Sequence, residues 1–445
     1  MTDVGAGIEA GAPALEPDLT RPLPRALRAF GFRDFRIFWV GALLSSIGSN
    51  MQLAALAWVV AVATHSALQV TALAFVTIFP LLVLGPLGGS LADRLPRRRL
   101  LLTTQTLLMV QAFALWVVWE LGYGQYWVLF GISLAGGIVI ALNTPAWQSI
   151  VPELVPRSHL QNAITLNSTQ FNVSRALGPM VAGILIGTVG AGLCFLINAL
   201  SFLAVIGALV LIQGGDDVPE AATAARGSFG LFDGFTESLR YLRDEPGLRV
   251  ALTVTGIFAL LSAPIVQLIP VLSVEVLHID AEAYGLLLGS FGIGAVGIAL
   301  VIGTIDQRVL PSRLLGGGLL LTAIAVVGLG VSPGMVVGVV FMVAFGAAYV
   351  TVVAINHTAI QSLSEDHIRG RITSLWLMIY GTAFPLGNLL MGIAADAFGV
   401  RVVLVTCGAL VALALVVLTL RQALPRIDTP ALEHLLESAT APERP

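Results

Sequence analysis

The stretch Gly89-Ser90-Leu91-Ala92-Asp93-Arg94-Leu95-Pro96-Arg97-Arg98-Arg99 sets one carboxylate among four guanidinium groups at the end of a long apolar run. Such a cluster can lock surfaces together. The arginines, Arg94, Arg97 and Arg98 among them, can pair with Glu153 or Glu365, and Asp93 can rest against a helix N-terminus, where free N–H groups and the helix dipole favour an anion. Gly89 leaves room for a neighbouring helix to approach. A weaker copy follows at Asp306, with Pro311 and Arg313 after it.

A second group is polar but uncharged, apart from one arginine. Asn167, Ser168, Thr169, Gln170, Asn172, Ser174 and Arg175 crowd into nine residues. At 100° per residue, Ser168, Asn172, Arg175 and Pro179 share one helical face. Asn50, Gln52, Asn143, Gln148, Gln267, Asn356, His357, Tyr380 and Asn388 stand elsewhere within apolar runs, with aromatic residues such as Phe75, Trp147 and Trp376 interspersed. The chemistry on offer is recognition, since mixed polar and aromatic walls suit a bulky amphiphile. For each of these residues a hydrogen bond between helices is an equally open use. His357 is the titratable group of suitable pKa well inside a run, so it reads either as a proton carrier or as a hydrogen-bonded core histidine. No His-x-x-x-His pair, nucleophile–base set or phosphate-cradling loop is present. Cys194 and Cys407 read as small buried hydrophobes, with no disulfide and no metal.

The elements that carry these residues follow from composition. Of 445 residues, 57% are apolar and 11% charged, with mean hydropathy +0.91. A soluble domain carries about 25% charged residues. The balance excludes a soluble enzyme, a disulfide scaffold and a disordered chain, and a net charge of −3 excludes a nucleic-acid binder. A helix needs about 20 apolar residues to cross a bilayer. The runs 36–63, 68–92, 100–121, 126–150, 162–189, 192–212, 248–273, 284–305, 313–331, 334–362, 371–397 and 401–420 meet that length. An all-α membrane protein of twelve spans is therefore predicted. The runs are too long, and too little alternating, for a β-barrel.

All 23 basic residues are Arg, and with twelve spans nearly all of them fall on one side. The positive-inside rule makes that side cytoplasmic, along with both termini. Fixing this topology is an alternative role for the arginines of 94–99. Residues 1–33 read as a disordered cytoplasmic tail, 34–213 as a first six-helix bundle, 214–247 as a linker with an amphipathic helix on the membrane surface, 248–421 as a second bundle and 422–445 as a tail. The halves resemble each other: Asn143-Thr144-Pro145-Ala146-Trp147-Gln148-Ser149 aligns with Asn356-His357-Thr358-Ala359-Ile360-Gln361-Ser362. Six spans per copy give both copies one orientation, a parallel repeat.

The 89–99 run resembles the signature loop of the major facilitator superfamily, Gly-x-x-x-Asp-Arg-x-Gly-Arg-Arg/Lys, with Pro96 where a second Gly is usual. That resemblance implies that the cluster holds the cytoplasmic side shut in an outward-open state, with Asp93 at the start of span 11. Residues 175–183 resemble the Gly-x-x-x-Gly-Pro-x-x-Gly-Gly pattern of exporters through Gly178, Pro179 and Gly183, while Ser174 and Ala182 depart from it. Across 36–420 the chain resembles the branch of siderophore and macrolide exporters, the transmembrane secretion effectors. The branch implies a secondary active exporter of amphiphilic small molecules in the plasma (inner) membrane. It would work by alternating access, driven by a proton gradient, with no other cofactor, as a monomer in the lipid bilayer. An importer of a small nutrient is the first alternative, and a membrane enzyme or receptor the second.

Overall fold

The structure is a computed structural model that describes residues 24–212, 241–302, 309–365 and 368–428. Twelve long helices run through them. The first six are α1 (Arg33–Thr64), α2 (Ala67–Arg94), α3 (Arg97–Glu120), α4 (Tyr126–Ile150), α5 (Leu160–Thr188) and α6 (Ala191–Leu211). The second six are α7 (Pro246–Leu261), α8 (Ala281–Ile302), α9 (Pro311–Val331), α10 (Met335–Ser362), α11 (Arg369–Phe398) and α12 (Val400–Leu420). Eleven of these are long and apolar enough to cross a membrane, α7 together with its irregular continuation to Val276. The remaining helix, α5, falls short because of its polar run between Asn167 and Arg175. Lipid would penalise those groups, so α5 has to face protein or a cavity.

Packing repeats with the sequence. In the first half α1 lies against α5 and α6, α2 against α4, and α3 against α4 and α6. In the second half α7 lies against α11 and α12, α8 against α10, and α9 against α10 and α12. The backbone carries the same signature. Gly190 before α6 and Gly399 before α12 have φ of 103° and 86°, a region that favours glycine. His65 after α1 and His278 after α7 both adopt left-handed φ, 50° and 49°.

Two helix pairs make most of the contact between the halves, α5 on α8 and α2 on α11. Both are built from small residues, as close helix packing in lipid demands. Gly183 and Gly285 meet so closely that a Cβ on Gly183 would lie 2.7 Å from the Gly285 Cα. Gly292 sits on the backbone of Ala176, and Gly392 of α11 on the Leu68 backbone of α2. These seams lie toward the end of the molecule opposite the arginine-rich turns. At that end Asp396 of α11 accepts the Ala67 N–H and the Ser66 hydroxyl, each at 2.6 Å, and so caps α2. His65 pairs there with Glu275, and the Tyr284 hydroxyl donates to the Ala54 carbonyl at 3.3 Å. Tyr123, Trp127 and Tyr126 mark the same end, an aromatic belt at a membrane boundary.

Helix α7 departs from regularity. It stops at Leu261, then continues as a 3-10 segment (Ala263–Leu268), a single α turn and a π turn (Leu272–Val276). Pro264 lacks an N–H and frees the Leu260 carbonyl. Gly387 of α11 packs directly against that carbonyl and the Pro264 ring.

Two segments expected to be tails are partly packed. Residues 25–31 form a 3-10 helix in which Ala29 donates to Asn162 at 2.8 Å and Phe30 stacks edge-on against Trp39 at 4.9 Å. Leu424–Asp428 forms another, whose Asp428 accepts the Ser312 N–H at 2.8 Å and caps α9. Apolar residues inside each segment, Ala29 and Ile427 among them, are buried against the bundle, which holds both in place. The amphipathic helix expected over 214–247 lies outside the described residues except for 241–247, where the Tyr241 hydroxyl donates to the Leu363 carbonyl at 3.4 Å.

Candidate substrate cavity

A cavity of about 630 Å³ opens within the first half. All six helices of that half line it, and no residue of the second half does. Asn50, Gln52, Asn143 and Gln148 reach it as the sequence predicts. Gln105 and Gln111 of α3, Ser133 of α4 and Asn198 of α6 were not singled out from the sequence, yet they line it too. The signal for them was present: each is a polar side chain inside a span, which is unfavourable in lipid unless the residue faces inward.

The walls hold one another in position. The Asn198 amide donates to Gln52 Oε1 at 2.8 Å, and Gln52 reaches Gln111 at 3.5 Å. Thr104 and Gln105 both donate to Asn143 Oδ1, at 2.8 and 3.2 Å. Gln170, fully buried, donates to the Ser46 hydroxyl at 2.7 Å and ties α5 to α1.

The second half carries a row of rings outside this lining. His357, Trp376, Tyr380 and Phe384 form a ladder on α10 and α11 with centroid spacings of 4.8, 5.9 and 5.9 Å. The Tyr380 and Tyr349 hydroxyls are 2.7 Å apart. Arg175 of α5 lies over the Tyr349 ring at 5.8 Å, a cation–π contact across the two halves. Among the described residues the His357 ring makes no hydrogen bond, so its neighbour is the Trp376 face and not a polar partner.

The arginine cluster sits at the end away from the seams. Arg97 pairs with Glu153 and also donates to the Ser149 carbonyl at 3.2 Å, tying α3 to the end of α4. Arg98 donates to the Leu209 and Val210 carbonyls at the C-terminus of α6, at 2.5 and 2.6 Å. Asp93 and Arg94 are exposed.

A family model described as transmembrane secretion effector matches residues 26–443. The chain belongs to that family. It is therefore a transporter of the major facilitator superfamily and a multi-pass membrane protein. It is 26% identical over 378 residues to the staphyloferrin A transporter of Staphylococcus aureus, covering 83% of this chain and 89% of that protein. It is 24% identical over 383 residues to the multidrug efflux pump Tap of Mycolicibacterium fortuitum, covering 81% and 88%. Among solved structures the nucleoside transporter NupG, as a D323A mutant, superposes with a TM-score of 0.69 at 13% identity, covering 86% of this chain and 99% of that one. That last likeness speaks to fold.

Several predicted site residues of this transporter lie elsewhere than expected. Asn356 is buried and donates to the Ala251 carbonyl at 3.0 Å and Thr255 Oγ1 at 2.8 Å, so it binds α10 to α7 and does not line the cavity. Asn388 is fully buried outside the lining, with both amide atoms unpartnered among the described residues. Asn172 and Gln267 are half-buried and also outside it. Gly89 gives no close approach, since a Cβ there would meet open space. Gly88 does so instead, against the Ala141–Leu142 backbone of α4. Asp93 is not seated on the start of α11, because the halves meet at the opposite end. Glu365 stands in the turn before α11, where its carbonyl accepts from Arg369 at 2.9 Å, while Arg97 takes Glu153. Asp306 lies outside the described residues. Gly178 packs on the Asn50–Met51 backbone of α1 and Gly183 on α8, so the pattern around Pro179 serves two interfaces at once.

Proposed function

We propose that this transporter is a secondary active exporter of amphiphilic small molecules, namely siderophores, antibiotics or other drug-like compounds, driven by the proton gradient across the plasma (inner) membrane. The observation that carries the reading is the cavity within a duplicated bundle whose halves, among the described residues, pack together mainly at the end away from the arginine-rich turns. On the positive-inside rule the arginine-rich end is cytoplasmic, with both termini. The seams then close the outer face, and the structure is the state that receives substrate from inside. Rocking of one half against the other about α2/α11 and α5/α8 would open the outer face. In that state Asp93 would meet the N-terminus of α11 and the arginine cluster would shut the inner one.

His357 is the side chain that would exchange the coupling proton, since it lies within a span and has no described hydrogen-bond partner that would fix its protonation state. The efflux pump and siderophore transporter among the relatives support the substrate range.

Inverted membrane vesicles energised with a respiratory substrate should accumulate substrate, and a protonophore should abolish the uptake. Accumulation by whole cells in place of inverted vesicles would make the protein an importer. Uptake insensitive to the protonophore would remove the proton from the mechanism.

A further inference from the structure

We propose that the first-half cavity binds an uncharged group rich in hydrogen-bond donors and acceptors, such as a hydroxyl-bearing amide, and discriminates against carboxylates and ammonium ions. This rests on the exporter reading of the same site and adds the chemical class of its substrate. Eight carboxamides and seven hydroxyls line the cavity, and no Asp, Glu, Arg or His does. An ion entering would lose hydration without meeting an opposite charge, a loss far larger than that of a neutral polar group.

The vacant hydrogen-bonding positions sharpen the class. Gln105 Oε1, Ser133 Oγ and Trp147 Nε1 are buried, line the cavity and have no partner among the described residues. Gln105 and Ser133 are each 3% exposed. The Gln105 amide nitrogen is committed to Asn143, which leaves its oxygen as an acceptor. Trp147 Nε1 can only donate, and Ser133 can do either. Ser133 and Trp147 stand well apart on α4, about 21 Å along the helix axis, so a ligand that satisfies all three must carry donors and acceptors spread along its length. A carboxylate offers acceptors alone and an ammonium donors alone, whereas a hydroxyl or an amide offers both. The cavity, at about 630 Å³, falls in the range of drug-sized pockets. Arg175, the cation in the neighbouring part of α5, faces Tyr349 and is not part of this lining.

The test uses the full-length transporter in lipid nanodiscs and three probes. Chloramphenicol is neutral, with an amide and two hydroxyls; its succinate ester adds a carboxylate; tetraphenylphosphonium is a cation without hydrogen-bonding groups. Equilibrium binding should favour chloramphenicol over either charged probe by about tenfold or more. Ser133→Ala and Gln105→Leu should each weaken chloramphenicol about tenfold. Ser133→Ala removes an atom that has no protein partner, so its unfolding temperature should be that of the parent protein. Gln105→Glu should shift the preference toward the cation. Equal or tighter binding of a charged probe, no binding of chloramphenicol, or unchanged affinity in Ser133→Ala and Gln105→Leu would each overturn the proposal. Energised uptake of any probe into inverted vesicles would uphold the exporter reading whatever its charge, so the two readings fail separately.

Discussion

The carboxylate of Asp396 accepts the backbone N–H of Ala67 at 2.6 Å, joining the last turn of α11 to the first turn of α2 across the two halves. The Ser66 hydroxyl donates to the other oxygen of the same carboxylate. One acid thus serves as a cap for a helix in the opposite repeat, at the end where the seams close.

Asp396→Ala should weaken that closure. Loss of a charged cap costs about 0.5–2 kcal/mol, which shifts a two-state equilibrium severalfold toward the form open at this end. Distances between spin labels at residues 63 and 397 should lengthen in the variant. An unchanged distribution would reduce Asp396 to a surface acid.

Gly183→Leu and Gly292→Leu should abolish transport, because each adds a side chain where the facing backbone leaves no space. Gly89→Ala, by contrast, should be silent in this state, since its Cβ would meet nothing. Comparing vesicle uptake and thermal unfolding for the three variants checks both halves of the statement.

Asp93→Asn should impair transport severely while leaving membrane expression near the parent level, as expected of a residue needed in the other state. Unchanged efflux would remove it from the cycle. Arg175→Ala should lower transport more than Arg226→Ala, because Arg175 bridges to Tyr349 in the other half. Equal effects would leave that contact without function.

Asn356→Leu should act on stability. It deletes two buried hydrogen bonds to α7, a loss of about 1–3 kcal/mol, and leaves Thr255 Oγ1 with its bond to the Ala251 carbonyl alone. Thermal unfolding of the purified protein should shift downward, with the ranking of bound probes preserved.

The twelve helices were legible because proline, glycine and charge punctuate the apolar runs: α4 starts at Tyr126 and ends at Ile150, as the pattern indicates. The recognition residues were only half legible. Asn143 and Asn356 occupy matching positions in the repeat, yet Asn143 meets Thr104 and Gln105 beside the cavity while Asn356 is bound to α7. Helical spacing gives the face of a residue and not the neighbour that face will meet. Gln105, Gln111 and Asn198 were not legible as cavity residues, because an amide within a span serves a bond between helices as readily as a cavity wall. The seam made by Gly285, Gly289 and Gly292 on α8 was hidden for a related reason, since glycine adds nothing to a polarity pattern.

That the cavity belongs to a single repeat has a bearing on how such proteins diversify. Cargo choice and mechanical motion would then be encoded in different copies of the duplicated gene, so that either can drift while the other is held. A hybrid joining this amino-terminal copy to the carboxy-terminal copy of a distant cousin would inherit its menu from the former parent and its stroke from both.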